Sequence, residues 1–386
     1  MKMDQIWKPP QPLADESKIT KEWLQEMLSA KYQVKTQVHN WVCTPPTERE
    51  GFLSEIRFVD IHYKVSNETD TKKKFVFKFL PKANHLRNFM AQGELDKREV
   101  NFYKYASLTT FRNVLDKSGI PYPIPSVFYS VKDDNDLTIV MENLATYGYK
   151  TIIIRDGSTL QQTIVALESL AVIHAAGILS IKNNEPDFGI KTAYNNDFYD
   201  EFFIPNLKTL SEIFQDTELS QIFLDMIPHT KILRTHKYDH CFIHTIIHGD
   251  MWAGQCLFSE DEKSACALDW QFCEFGNPSS DIVSMFFMST DPEVLENHFE
   301  SILKAYWSKF TKTLDEFGHK TSFKYEEFVE NVEKNLLTGF IYITVSLHDF
   351  QGSDNISDKR LKGLIYFLQK RKVFQDIMKQ IQSKSI

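Results

Sequence analysis

The stretch IIHGDMWAGQCLFSEDEKSACALDWQ, residues 246–271, places two acidic residues in a distinctive setting. Asp250 follows His-Gly, and Asp269 precedes Trp-Gln after a short apolar run. Phosphoryl transfer needs a group that orients or deprotonates the nucleophile, and oxygen ligands that hold a metal ion. Asp250 fits the base, because a carboxylate can accept the proton of a substrate hydroxyl. Asp269 fits a magnesium ligand, because Mg²⁺ prefers carboxylate oxygens.

Gln255 lies between these two acids, where a phosphotransferase would be expected to carry Asn. Glutamine keeps the amide oxygen and adds one methylene, which is about 1.5 Å of extra reach. Its side chain could ligate the metal or hydrogen-bond the loop that carries Asp250. Because Mg²⁺ demands near-ideal octahedral geometry, a poor fit would give slower turnover or a nucleotide-binding protein without catalysis.

A second pair of charged residues lies upstream. The segment FVFKFLP places Lys78 mid-strand between two phenylalanines, where an unpaired lysine would be costly to bury. The helix predicted over residues 88–108 carries Glu99 on the same side as its apolar residues. A strand lysine paired with a helix glutamate holds nucleotide phosphates in kinases. We therefore predict that Lys78 pairs with Glu99, since Glu94 lies about 1.4 turns earlier and projects elsewhere.

The periodicity of the chain predicts two unequal parts. The pattern of residues 1–143 predicts the order helix, strand, strand, helix, strand, strand. In the first strand the alternation of apolar residues breaks at Asp60. Residues 144–386 are mostly helical by their spacing, apart from short strands around the opening stretch. We therefore predict an α+β fold with a small β-rich lobe, residues 1–143, and a larger helical lobe, residues 144–386.

Composition bounds the class of protein. Of 386 residues, 42% are hydrophobic, which is enough to build a large core. The net charge of −8 disfavours non-specific nucleic-acid binding and attraction to anionic membranes. No run approaches the 18 apolar residues of a membrane span, and the N-terminal residues lack a signal-peptide core. Five cysteines without a C-x-x-C pair therefore predict reduced thiols and a cytoplasmic protein.

Histidines offer a possible metal site that we weigh against a simpler interpretation. Four of them are spaced four residues apart: His236, His240, His244 and His248. On a helix they would share a face and could bind Zn²⁺ or Ni²⁺, but the β-branched surroundings favour a strand. His174 lies on the apolar side of an amphipathic helix predicted over residues 158–178. We interpret it as a hydrogen-bonded core histidine.

The ordered motifs resemble those of the ecdysteroid kinase-like, or CHK kinase-like, family. That family belongs to the wider group of choline and aminoglycoside kinases with a protein-kinase-like fold. The resemblance covers roughly residues 40–350. It rests on HGDMWAGQCLF with ALDWQ, and on FVFKFLP, KREVNFYKY, IVMENLATYGY, LAVIHAAG and FGNPSSDIVSMFF. It implies a bilobal protein-kinase-like fold and an O-phosphotransferase that uses ATP and Mg²⁺ on a small molecule.

The resemblance also implies roles for the matching residues. Lys78 and Glu99 would orient the phosphates, Asp250 would be the catalytic base, and Asp269 with Gln255 would hold the metal. The loop covering the phosphates would consist of Gly51, Phe52, Leu53 and Ser54. Backbone groups of the segment between the lobes would hold adenine, from Glu142, Asn143 and Leu144.

Three further residues carry structural expectations from the same resemblance. Asp281 would be structural, as an N-cap of the next helix, and Trp252 and Trp270 would wall the cleft. The chain departs from the family pattern at Gln255, usually Asn, and at Asn143, often Asp. Asn143 is tolerable at its position, because this segment would bind adenine through its backbone groups.

The acceptor is less constrained. Residues 195–207 and 335–350 interleave aromatic side chains with few charges, which would favour a lipophilic alcohol such as a steroid. The same aromatics could simply be core, so the steroid class rests mainly on the resemblance. Asp200 and Glu201 leave open a choline-like or xenobiotic acceptor. Gln255 leaves open a non-catalytic nucleotide-binding protein, and the oligomeric state is not determined.

Overall fold

A five-stranded antiparallel sheet organises the first part of the chain. The computed structural model describes residues 6–46, 53–66, 68–152, 157–190, 198–236, 243–350 and 355–384. The sheet has the order β1-β2-β3-β5-β4. Its strands are β1 Thr36–Thr44, β2 Glu55–Val65, β3 Thr71–Phe79, β4 Val127–Lys132 and β5 Leu137–Glu142. The connections β2–β3 and β4–β5 are hairpins, and helices link β3 to β4.

One face of this sheet is covered by helix α1, Lys21–Tyr32, which begins after the N-cap Thr20. The ring of Trp23 lies 6.0 Å from that of Phe77 and 5.0 Å from that of Tyr129. Strand β2 is continuous through Asp60, so the change in its apolar alternation does not interrupt the strand. The buried positions are the odd ones from residue 59 to 65, whereas the even positions Ile56 and Phe58 lie on the opposite face.

That opposite face is met by helices between β3 and β4. They are α2 Asn84–Gly93, α3 Leu95–Ala106 and α4 Thr109–Lys117. The single helix predicted over residues 88–108 is therefore two helices. The chain breaks at Glu94, whose φ of 52° is left-handed and cannot continue a right-handed helix. The break makes α3 a separate helix, and its Glu99 reaches Lys78 of the sheet.

The rest of the described chain is mostly helical, as predicted. Its helices are α5 Leu160–Lys182, α6 Phe198–Ile213, α7 Leu219–Met226, α8 Thr230–His236, α9 Ser279–Ser289, α10 Pro292–Glu316, α11 Tyr325–Lys334, α12 Leu336–Val345, α13 Leu347–Phe350, α14 Asn355–Lys370 and α15 Val373–Lys384. Four short strands carry the opening stretch: β6 Thr245–Ile247, β7 Cys256–Phe258, β8 Ala265–Ala267 and β9 Glu274–Gly276. Strand β6 pairs with β9, and β7 pairs with β8. The α+β class is confirmed, while the boundary at residue 143 stays a prediction.

Helix α5 is the central helix of this part. Its residues are buried on nearly all sides, so the prediction of an amphipathic helix is wrong. It is long and apolar enough to cross a membrane by length and composition, contrary to the expectation from the sequence. However, 78% of its most apolar window is buried inside the protein. A helix that is apolar all round is equally expected in the core of a large domain.

Gly177 of α5 marks a close approach between that helix and β6. An added Cβ would lie 2.3 Å from Thr245 Oγ1 and 2.8 Å from Ile246 Cγ2. Alanine normally stabilises a helix interior by about 1 kcal/mol relative to glycine, but overpacking costs about 1–3 kcal/mol. We expect Gly177→Ala to lower the free energy of unfolding, measured by urea denaturation. Ile181→Ala, at an exposed position of α5, should change it by less than about 0.5 kcal/mol. A more stable Gly177→Ala protein would contradict the close packing.

Candidate active site

Lys78 lies at the centre of the candidate site. It stands on β3 between Ile56 of β2 and Ile139 of β5, and only 4% of the residue is exposed. Its Nζ is 2.7 Å from Glu99 Oε2 and also contacts Asp269 Oδ1. Burial alone would lower the pKa of Lys78, but the two carboxylates reverse the shift and raise it. The side chain is therefore a fixed positive charge shared by two acids.

Glu99 is fully buried on α3. Burial raises the pKa of this carboxyl, while the Lys78 ammonium opposes the shift. Glu94 forms a separate contact, with its Oε1 3.5 Å from Lys97 Nζ. As predicted, Lys78 pairs with Glu99 and not with Glu94. Helix spacing is sufficient for this choice, but it does not predict the break at Glu94.

Asp269 follows β8 with a left-handed backbone, φ 58° and ψ 66°. Such a conformation is uncommon for a residue with a side chain and often marks a functional position. Its Oδ1 contacts Lys78, and its Oδ2 accepts a hydrogen bond of 3.2 Å from Gln271 Nε2. The sharp turn thus brings the carboxylate from the helical part of the chain to the strand lysine.

Asp250 lies in the loop after β6 and is partly exposed. Gln255 donates from Nε2 to Asp250 Oδ2 over 3.3 Å. Burial of the carboxyl group raises the pKa of Asp250 to about 7; the Gln255 hydrogen bond is the next largest effect and lowers it, while the Asp269 and Asp281 charges raise it further. A carboxylate of this basicity is well matched to proton acceptance near neutral pH.

Asp281 holds the backbone of the Asp250 loop. Its Oδ2 accepts from the backbone N–H of His248 at 2.7 Å, and its Oδ1 accepts from that of Gly249 at 2.9 Å. The expected N-cap role is wrong, because Asp281 lies inside the first turn of α9, after the N-cap Pro278. Burial would raise the pKa of Asp281, but its hydrogen bonds to His174 and the loop lower it. Asp281 is therefore a buried, charged support for the loop.

His174 completes this support. Its Nε2 lies 3.1 Å from Asp281 Oδ2, and its Nδ1 lies 2.8 Å from the Tyr306 hydroxyl. All three side chains are fully buried. The interpretation of His174 as a hydrogen-bonded core histidine is confirmed. Its contact with the loop acid gives that core residue an indirect part in shaping the site.

The two tryptophans differ. Trp270 is fully buried and stacks on Phe102 with ring centroids 3.7 Å apart, so the expectation that it walls the cleft is wrong. The stack instead joins the turn after Asp269 to α3, which carries Glu99. Trp252 is partly exposed beside Gly254, whose added Cβ would meet the indole ring at 2.4 Å. Whether Trp252 lines the cleft stays a prediction.

The histidines of the four-residue series that the structure describes, His236, His244 and His248, do not share one face of a helix. His236 ends α8, whereas His244 and His248 flank strand β6. His248 is buried, with Nε2 2.6 Å from the Leu268 carbonyl, and His244 is exposed. His240 lies outside the described residues. The strand expected here is present, so the four-residue spacing has no helical meaning.

Family comparison agrees with this geometry. The profile of the ecdysteroid kinase-like family matches residues 48–319. The chain belongs to the ecdysteroid kinase-like family. This confirms the resemblance, and it makes the protein a small-molecule kinase, that is, a phosphotransferase. A lysine on the third strand paired with a glutamate on a following helix is also the arrangement of protein-kinase-like enzymes. The protein-kinase-like fold is confirmed.

The solved structures that are similar to the kinase share little sequence identity with it. A macrolide 2′-phosphotransferase type I is 13% identical, covering 89% of this chain and 97% of the other, with a TM-score of 0.41. A putative aminoglycoside phosphotransferase from Ralstonia eutropha is 11% identical, with coverages of 92% and 96% and a TM-score of 0.45. A choline kinase from Streptococcus pneumoniae is 12% identical, with coverages of 90% and 98% and a TM-score of 0.39. The chain has no significant match among curated proteins.

The expected adenine-binding segment connects β5 to the helical part of the kinase. The backbone N–H groups of Glu142 and Asn143 already bind the carbonyls of Ser126 and Lys74, at 2.9 and 3.0 Å. The Asn143 side chain accepts from Ala145 N at 3.0 Å and caps a short 3₁₀ turn. Other backbone groups of the segment would therefore have to contact a base. This role stays a prediction for all three residues.

The side chains of this segment are also committed to the protein. Glu142 is bound by Lys73 Nζ at 2.6 Å and by the Tyr147 hydroxyl at 2.5 Å. Leu144 is buried in a small apolar cluster with Tyr149 and Cys266. The segment is thus fixed in position by contacts on both sides, which suits a connection between two lobes.

The loop expected to cover the phosphates is only partly described. Gly51 and Phe52 lie outside the described residues. Leu53 is buried and Ser54 is partly exposed, immediately before β2. Their placement next to the strand that pairs with Lys78 is the one expected for such a loop. Their contact with phosphates stays a prediction.

The structure adds several residues to the site that the sequence pattern does not predict. Gln271 binds Asp269, and the Tyr342 hydroxyl of α12 donates to the Gly249 carbonyl at 3.1 Å. Phe58 and Val76 are cross-strand neighbours and lie on the same sheet face as Lys78, partly exposed. The alternation of β2 could have revealed Phe58, because its phase is opposite to that of the buried positions. Tyr342 carries no comparable signal, since its contact joins residues 93 positions apart.

Gly249 gives a test of how strictly the Asp250 loop is placed. Its φ is +80°, and an added Cβ would lie 2.3 Å from the Phe272 carbonyl oxygen. We expect Gly249→Ala to lower kcat about 100-fold or more, because a shift of about 1 Å can have that effect. The matched control is Gly119→Ala, at φ +72° with nothing within 4 Å. It shares the backbone strain of about 1–2 kcal/mol and should keep full activity. Equal loss of activity in both variants would contradict a specific constraint at Gly249.

Proposed function

We propose that this kinase transfers the γ-phosphoryl group of ATP to a hydroxyl of a small lipophilic alcohol, with a steroid as the favoured class. The observation that carries the proposal is the Lys78 ammonium between Glu99 and Asp269, beside a loop that presents Asp250. This arrangement joins a phosphate-binding cation, a metal-binding acid and a base. Phosphoryl transfer requires little more than positioning and electrostatic stabilisation by such groups.

The donor set fits a magnesium–nucleotide complex. Asp269 offers a carboxylate, and Gln255 offers an amide oxygen that is not used when its Nε2 binds Asp250. Mg²⁺ is commonly held by one or two such oxygens, with phosphates and water as the other ligands. Lys78 would bind the nucleotide phosphates, and Glu99 would keep the lysine extended toward them. The bound metal would neutralise charge that develops on the transferred group.

Asp250 would receive the acceptor proton. In the proposed step the hydroxyl oxygen attacks the γ-phosphorus, the bond from that phosphorus to the β-phosphate oxygen breaks, and the proton passes to the carboxylate. The hydrogen bond from Gln255 holds one carboxylate oxygen, leaving the other for the hydroxyl. Asp281 and Tyr342 would keep this loop in place through the backbone of Gly249. The active form is the ionised carboxylate.

The acceptor class is supported mainly by the name of the family, which refers to ecdysteroids. Described aromatics in the segments expected to line the acceptor pocket serve the core. Phe203 and Phe340 are fully buried, and Phe340 packs against Phe223 and Phe374. Tyr342 is the exception, since it is partly exposed and touches the loop before Asp250. A lipophilic acceptor would therefore bind near the exposed side of α12.

We also propose a cytoplasmic location. Cys43, Cys256, Cys266 and Cys273 are free thiols in the described part of the chain. Burial raises the pKa of the last three, so they remain neutral, unreactive core residues. Free cysteines are the usual state in a reducing compartment. ATP is also supplied there.

An acceptor screen tests the proposed reaction. Purified protein with γ-labelled ATP and Mg²⁺ should phosphorylate at least one hydroxylated steroid or similar lipophilic alcohol. The panel should include choline and an aminoglycoside. Transfer only to these polar amines would overturn the lipophilic acceptor but not the kinase. ATP binding without transfer to any acceptor would favour a non-catalytic nucleotide-binding protein.

Asp250→Asn is the matched inactive variant for this screen. It removes the proton acceptor with little change in size, so the rate should fall about 10²–10⁴-fold while nucleotide affinity is retained. Asp216→Asn, an exposed acid distant in sequence from the site, should leave both unchanged. Full activity of Asp250→Asn would reject the base assignment.

Gln255 can be tested through the metal requirement. If its amide oxygen is a ligand, Gln255→Ala should raise the Mg²⁺ concentration for half-maximal rate at least about tenfold, since even indirect partners of a metal have that effect. Gln255→Asn keeps the amide oxygen, so its Mg²⁺ concentration for half-maximal rate should lie between those of the wild type and Gln255→Ala. An unchanged Mg²⁺ requirement with a lower kcat would instead assign Gln255 to supporting Asp250.

A further inference from the structure

Three potential metal-binding side chains meet on the sheet, away from the kinase site. His39 comes from β1, His62 from β2, and Asp70 from the residue before β3. Their possible ligand atoms all lie within 4.8 Å of one another. Their side chains are 33%, 27% and 52% exposed, so solutes can reach them. The cluster joins the edge strand of the sheet to the β2–β3 hairpin.

A β-bulge lies within this cluster. Val38 pairs with Tyr63, and Asn40 pairs with His62, so His39 is an extra residue in the ladder. Without the bulge, His39 would itself pair with His62. Both His39 and Asn40 are exposed as a result. Bulges re-aim side chains and are frequent next to functional sites. The two imidazole rings beside this bulge lie 4.9 Å apart at an angle of 58°.

The distances suit a shared metal ion. His39 Nε2 is 3.4 Å from Asp70 Oδ1, and His62 Nε2 is 3.5 Å from Asp70 Oδ2. Zinc lies about 2.0–2.1 Å from nitrogen or oxygen ligands in tetrahedral sites. Ligand atoms at the corners of such a tetrahedron are therefore about 3.3–3.4 Å apart. The two imidazoles meet opposite oxygens of Asp70, so the three ligand atoms, which lie within 4.8 Å of one another, would move slightly closer to share an ion. We propose that His39, His62 and Asp70 bind a divalent transition metal of the Zn²⁺ class.

The donor set selects this class of ion. Two imidazoles and one carboxylate suit Zn²⁺, Ni²⁺ or Cu²⁺, whereas Mg²⁺ prefers oxygen ligands alone. Three protein ligands leave a fourth position for water. One local feature opposes binding, because Lys72 pairs directly across from His62 and adds positive charge. The charge of Asp70 offsets it, and the neighbouring Lys74 already pairs with Asp60 at 3.4 Å.

This site is separate from the magnesium ligands of the kinase. Ile56 is the cross-strand neighbour of Lys78, and His62 lies six residues further along β2. At about 3.3 Å per residue, the separation along the strand is roughly 20 Å. A bound ion would tie the edge strand β1 to the β2–β3 hairpin. Its expected effect is stabilisation of this end of the sheet, with no direct part in phosphoryl transfer.

Zinc binding to the full chain tests the site. In excess Mg²⁺, calorimetric titration with Zn²⁺ should show one equivalent that is lost in His62→Ala, in His39→Ala and in Asp70→Asn. Zn²⁺ should raise the melting temperature of the wild type, because a ligand of the folded state stabilises it. Co²⁺ in place of Zn²⁺ should give the intense visible absorption of a four-coordinate ion. Kinase activity should be unchanged in each variant.

His85→Ala is the matched control, since His85 is exposed on α2 outside the cluster. It should bind the same number of Zn²⁺ ions as the wild type. Equal Zn²⁺ binding and equal thermal shifts in the wild type and His62→Ala would overturn the proposal. If His62→Ala melts at a lower temperature without metal, His62→Gln keeps the volume and repeats the test. If the His62 variants lose the same amount of stability with and without Zn²⁺, the three side chains form an ion pair only and the metal site is rejected.

Discussion

The Lys78 ammonium, buried between two carboxylates, is the constraint on which the rest of the structure depends. A buried charge that loses one partner destabilises a protein by about 3–5 kcal/mol. The strand that carries Lys78, the helix that carries Glu99 and the turn that carries Asp269 must therefore converge within hydrogen-bond distance. Because Asp269 comes from the helical part of the chain and Lys78 from the sheet, this contact also joins those two parts.

Packing around the charges keeps that convergence in place. The break at Glu94 makes α3 a separate helix, and the stack of Phe102 on Trp270 fixes α3 against the turn after Asp269. A separate polar network, with Asp281 at its centre, holds the Asp250 loop. The two acids of the opening stretch are thus supported by different neighbours. Asp269 depends on aromatic packing, and Asp250 depends on buried hydrogen bonds.

Gln255 has a defined place in this arrangement. Its amide nitrogen donates a hydrogen bond to the carboxylate of Asp250. The residue therefore stands between the proposed base and the proposed metal, and either contact is compatible with its two polar atoms. The substitution leaves the surrounding fold intact, because β7 and β8 still pair immediately beyond it.

The amino-acid sequence alone determined the α+β class, the pairing of Lys78 with Glu99 and the family. Alternation and helical spacing are local properties, and a lysine between two phenylalanines requires a partner wherever the chain folds. Only the tertiary structure decided that Asp281 supports the loop, that Trp270 is core and that Tyr342 reaches Gly249. These contacts join residues between 32 and 168 positions apart. No periodicity encodes such separations, because they depend on how complete helices and strands pack.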